Sequence, residues 1–115
     1  MLFKFISLAT SYGKLGEIHQ ALGQVDKALT FFELRAKLGK QLYDANPKSE
    51  SLKNGLAISY SKLGEFYRDH KEDKEGAKKY FQECYSLWKE LSEAYPDYVQ
   101  FRRFFDMVVE ILEGL

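Results

Sequence analysis

The sequence has one cysteine, Cys84, two prolines, and no excess charge of either sign. A lone cysteine cannot close an intramolecular disulfide. The chain is therefore not a disulfide scaffold, and a reducing compartment, the cytoplasm, is the expected location. Seventeen Lys and Arg balance seventeen Asp and Glu. That balance argues against nucleic acid as the main partner, because phosphate binding calls for a basic excess or stripe. It also removes the simplest attraction to an anionic membrane surface. No run of eighteen apolar residues occurs, so no transmembrane helix is expected. The opening stretch from Met1 to Ile6 is apolar but broken by Lys4 and followed by Ser7. It lacks a charged n-region and a long h-region, so a signal peptide is not expected. With prolines only at Pro47 and Pro96, most of the chain is free to be helical.

What is present is an internal repeat. The run Leu8-Ala9-Thr10-Ser11-Tyr12-Gly13-Lys14-Leu15-Gly16-Glu17 returns as Leu56-Ala57-Ile58-Ser59-Tyr60-Ser61-Lys62-Leu63-Gly64-Glu65, with eight of ten positions identical at a spacing of 48. Further on, Ala28, Phe32, Leu38, Lys40, Leu42, Ala45 and Pro47 are answered by Ala77, Phe81, Leu87, Lys89, Leu91, Ala94 and Pro96 at a spacing of 49. One residue has therefore been added between the two halves of the second copy. Turns accept insertions and packed helices do not, so the addition is expected in a turn. A match this dense is the mark of a repeat array.

Each copy reads as two helices. Leu8, Tyr12, Leu15 and His19 share one face at spacings of three and four. A turn is expected at Gly23-Gln24-Val25-Asp26, with glycine in the left-handed position and Asp26 capping the next helix. Ala28, Leu29, Phe32, Ala36, Leu38 and Leu42 form the second stripe, which stops before Pro47 because the residue preceding proline is driven out of the helical region. In copy two, Leu52, Leu56, Tyr60, Leu63 and Tyr67 mark the first helix and Asp73 the cap of the second. Ala77, Phe81, Tyr85, Trp88 and Leu91 mark that second helix, which ends near Tyr95-Pro96. Phe101, Phe104, Phe105, Val108, Val109, Ile111 and Leu112 make a fifth amphipathic helix where a third copy would begin. The expected organisation is one domain over residues 1–115, divided into repeat one (1–47), repeat two (48–96) and a final helix (97–115).

The pattern Tyr12-x-x-Leu15-Gly16-x-x-His19 followed by Ala28 and Phe32 resembles the tetratricopeptide repeat. So does Tyr60-x-x-Leu63-Gly64-x-x-Tyr67 followed by Ala77 and Phe81. The resemblance implies an all-α fold: a right-handed solenoid of antiparallel helix hairpins, here two repeats plus a capping or partial-repeat helix. Gly16 and Gly64 remove a side chain where the helices of a hairpin cross. Ala28 and Ala77 are expected to face them, with the large residues filling the space on either side. The usual repeat is about 34 residues long. The spacing of 48 places the extra length in a second helix of roughly six turns, from Gln24 to Ala45.

Chemistry-bearing motifs are scarce. The two histidines, His19 and His70, read as a packing residue and a solvated turn residue. Cys84 reads as a partly buried structural thiol. The acidic stretch from Asp69 to Glu75 contains Lys71 and Lys74 and lacks the calcium-loop spacing. No phosphate loop, nucleophile elbow or zinc-protease motif occurs. No metal, cofactor or catalytic residue is nominated, and the chain is not expected to be an enzyme.

The resemblance implies a protein- or peptide-binding scaffold, with the first helix of each repeat lining a concave groove. The outward face of those helices presents Gly13, Lys14, Glu17, Gln20 and Ala21 in copy one. In copy two it presents Ser61, Lys62, Glu65, Arg68 and Asp69. The binding residues expected from these rows are Lys14, Glu17, Gln20, Ser61, Lys62, Glu65, Arg68 and Asp69. A family subclass grips the C-terminal carboxylate of chaperones through lysine and asparagine. Those slots hold Gly13 and Ser61, then Glu17 and Glu65, so that role is not expected. The alternative is a structural segment. The apolar ends, Leu2, Phe3, Phe5 and Ile6 at one and Phe and Val at the other, would then join further repeats, a larger protein or a second copy.

Overall fold

The computed structural model describes residues 2–115, which form five α-helices and, among these described residues, no strand. They are α1 (Leu2–Ala21), α2 (Val25–Ala45), α3 (Glu50–Asp69), α4 (Lys74–Ala94) and α5 (Val99–Gly114). The fold is the expected all-α helical repeat. It divides into two compact units, residues 1–59 and 60–115, with the boundary inside α3.

The extra residue of repeat two lies in the turn. Leu22-Gly23-Gln24 joins α1 to α2, and His70-Lys71-Glu72-Asp73 joins α3 to α4. Both connections need a left-handed residue before the cap. Gly23 supplies it at φ 76°, at no steric penalty, and Glu72 supplies it at φ 50°. The caps differ. Asp73 accepts a hydrogen bond from the Gly76 N–H through Oδ1 at 2.9 Å. In repeat one Gln24 holds the cap position without a side-chain bond, and Asp26, expected there, lies inside the first turn. Asp26 in that turn still faces the positive end of the helix dipole. The long second helices are both 21 residues, about 31 Å each. They stop at Ala45 and Ala94, each two residues before a proline.

In the first unit α1 packs on α2 across Gly16. A Cβ built on Gly16 would lie 2.6 Å from Phe32 Cε1. In the second unit the last turns of α3 pack on α4 in the same way, with a Gly64 Cβ position 2.8 Å from Phe81 Cζ. The ring, not Ala28 or Ala77, is therefore the group that faces each glycine. The two alanines are fully buried beside it. Phe32 and Phe81 are too large to lie flat against any residue bearing a side chain at that crossing.

The final helix repeats an earlier contact. In the second unit α5 covers α4, with Trp88 stacked on Phe104 at 5.0 Å and Tyr85 against Phe105 at 5.2 Å. Phe101 and Val108 are buried beneath it. In the first unit the opening turns of α3 cover α2, where Gly39 meets Leu56. Position 39 corresponds to 88 and 55 to 104, both 49 residues on, as are the starts of α3 and α5, so α5 stands in the register of a third repeat's first helix.

Candidate functional site

The two candidate rows belong to different helices. On α1, Lys14, Glu17 and Gln20 are exposed. Gly13, expected beside them, is buried, because the Arg35 side chain from α2 lies over it. A Cβ at Gly13 would come within 2.7 Å of Arg35 Nη1. On the second half of α3, Lys62, Glu65 and Arg68 are half-buried and Asp69 is exposed. Ser61 is buried, so its hydroxyl lies in the core rather than on an open face.

Arg68 is held in place by its neighbours. Its Nε donates to Asp69 Oδ1 at 2.8 Å and its Nη2 to Asp69 Oδ2 at 3.1 Å. The guanidinium carbon lies 5.8 Å from the centre of the Phe81 ring, within cation–π reach. The hydrogen-bonded carboxylate raises the Arg68 pKa, and the same bond holds the Asp69 carboxyl below its usual range. Both side chains keep substantial solvent contact, which screens the pair. The row is thus a preordered polar edge resting on the aromatic core.

His19 packs, and His70 is exposed in the turn. His19 stacks on Phe31 with ring centres 5.3 Å apart, and its Nδ1 hydrogen-bonds Gln24 Oε1. The repeat-two counterparts of this pair, Tyr67 and Tyr80, lie 5.4 Å apart. His70 rests against Phe66 at 4.9 Å. Cys84 is completely buried, more so than expected, and burial pushes its thiol pKa up. Among the described residues no three His, Cys, Asp or Glu side chains gather as a metal ion would require. No helix among them is long and apolar enough to cross a membrane.

Leu8 and Leu15, expected on the packed face of α1, are open, and Ile18 beside them is open too. Leu15 is 38% exposed while its counterpart Leu63 is 1% exposed. Leu8 and Leu56 stand at 40% and 2%, and Ile18 and Phe66 at 54% and 1%. These three α1 residues share a stripe that nothing within the first unit covers.

Arg35 escaped the reading of the sequence. It sits among the apolar positions of α2 and has no charged counterpart, since repeat two carries Cys84 there. The covarying pair, Gly13 with Arg35 against Ser61 with Cys84, was the available signal.

Comparison with known families places a tetratricopeptide-repeat model on residues 9–34 and 57–87. No curated protein and no solved structure matches the chain.

Proposed function

The chain belongs to the tetratricopeptide repeat family, and we propose that it is a non-catalytic scaffold whose first helices bind a protein or peptide. Repeats of this family are generally protein-interaction scaffolds. The single observation that carries the reading is the state of the α3 row. Arg68 and Asp69 form a bidentate pair at 2.8 and 3.1 Å, seated on Phe81 and open to solvent. Side chains already fixed in one geometry lose little entropy when a partner binds. Lys14, Glu17 and Gln20 on α1 supply the equivalent row in the first unit, and Lys62, Glu65, Arg68 and Asp69 supply it in the second. Ser61 supports its row from beneath. The mixed charge fits a polar peptide of both signs better than a polyanion. We take residues 1–115 to act as one module in a reducing, cytoplasmic setting, without a cofactor.

The test is a peptide-display selection against the chain, with each enriched peptide measured again on Glu65→Lys/Arg68→Glu. Enrichment of a consensus, and its loss on the charge-reversed variant with helix content intact, is the expected outcome. Enriched peptides that bind both proteins equally would remove the α3 row from the interface.

A second reading is favoured by the exposed stripe on α1. Leu8, Leu15 and Ile18 are open where Leu56, Leu63 and Phe66 are buried. An assembly with further repeats or with a second copy would cover that stripe. Light scattering across a concentration series reads this directly: a monomer at every concentration counts against self-association.

A further inference from the structure

The first unit encloses a half-open hollow of about 180 Å³ between α1, α2 and the opening turns of α3. That is far more than the roughly 10–15 Å³ one water molecule needs, so a larger group has room to enter. Gly39, Gly55 and Ser59 keep its walls back. The corresponding residues one repeat later are Trp88, Phe104 and Val108. Trp88 is buried and stacked on Phe104, whereas a Cβ on Gly39 would make only ordinary contacts, with Leu56 Cδ1 at 3.6 Å and Ser59 Oγ at 3.9 Å. The same contact is filled in one place and open in the other.

Arg35 is the one charged residue among those that line the hollow. Gly13 makes room for it, because any side chain there would meet the guanidinium at 2.7 Å. In repeat two the corresponding pair is Ser61 and Cys84, both buried and uncharged. Burial lowers the Arg35 pKa, so this cation has lost part of its hydration and gains from an anion brought to it. Glu17 acts on it electrostatically. A guanidinium carries five donors in a planar fork and can serve more than one carboxylate.

We propose that this hollow is a subsite for the side-chain carboxylate of an Asp or Glu in a bound peptide, with an adjacent aliphatic residue packed against Leu42. Arg35 receives the carboxylate, Gly13 positions Arg35, and the missing side chain at Gly39 admits the ligand. The inference rests on the peptide-binding reading above and narrows the partner to a segment that pairs an acidic with an aliphatic residue.

Fluorescence anisotropy on the full chain tests it, with two labelled probe peptides, Gly-Ser-Leu-Asp-Leu-Ser-Gly and the same peptide with Asn for Asp. The Asp peptide is expected to bind about tenfold more tightly, the scale of one charge-assisted hydrogen-bonded contact. Arg35→Gln abolishes that preference, and Glu17→Gln widens it by removing a competing carboxylate. Gly39→Leu, which fills the hollow, weakens both peptides; circular dichroism confirms the fold of each variant. Equal affinity of the two peptides, no binding of either, or a preference that survives Arg35→Gln overturns the subsite. If peptides from the display selection respond to Glu65→Lys/Arg68→Glu but not to Arg35→Gln, the scaffold reading stands and this subsite falls.

Discussion

Gly16 and Phe32 occupy one another's space: a Cβ on Gly16 would lie 2.6 Å from the ring carbon Cε1 of Phe32. Gly64 and Phe81 repeat the relationship. The α1–α2 and α3–α4 crossings therefore depend on the absence of a side chain, not on helix propensity, which glycine lowers.

Gly64→Val is expected to destabilise the chain by about 1–3 kcal/mol through overpacking against Phe81. Gly55→Ala serves as the control. Nothing lies within 4 Å of its Cβ position, so the gain in helix propensity, about 0.5–1 kcal/mol, is realised in full. Urea denaturation of both variants, followed by circular dichroism, gives the two signs.

The turn before α4 offers a pair of opposite effects. Asp73→Ala removes the bond from the Gly76 N–H and is expected to lower stability by about 1 kcal/mol. Glu72→Gly relieves a left-handed residue at φ 50° and is expected to raise it by about 1 kcal/mol. Thermal melts that move in the same direction would contradict this account of the turn.

Cys84 is completely buried and its thiol pKa is raised by desolvation, so thiolate is scarce. Iodoacetamide at pH 8 is expected to leave the native chain unmodified and to alkylate it fully in denaturant. Mass spectrometry before and after unfolding reads the difference.

The Asp69 carboxyl is depressed by its hydrogen bonds from Arg68. A depressed folded-state pKa contributes stability above the unfolded carboxylate value, and that contribution is lost as pH falls through the folded value. Arg68→Ala should return the Asp69 midpoint to the ordinary range, as followed by carboxyl-carbon NMR. The exposure of the pair keeps the effect on global stability small.

The helices were legible in the sequence because repetition doubled each signal. Tyr12, Leu15 and Gly16 alone are a weak motif, but Tyr60, Leu63 and Gly64 in register fix the hairpin. The single-residue insertion, read from the change of spacing from 48 to 49, fell in the α3–α4 turn. Local partners were less legible. Which side chain faces Gly16 depends on how far the Phe32 ring reaches, and periodicity carries no such information. The exposure of Leu15 was hidden for a related reason: identical residues in two copies have different neighbours, so Leu15 is open where Leu63 is buried. Arg35 and Gly39 were hidden because they depart from the repeat, and a reading built on likeness passes over departures.

The central claim is that the first helices carry the partner. Heteronuclear NMR of the labelled chain, titrated with a peptide enriched by display, tests it most directly. The account predicts shift changes at Lys14, Glu17 and Gln20 on α1 and at Lys62, Glu65, Arg68 and Asp69 on α3. Changes confined to the outward residues of α2, α4 and α5, with both rows unmoved, would contradict it.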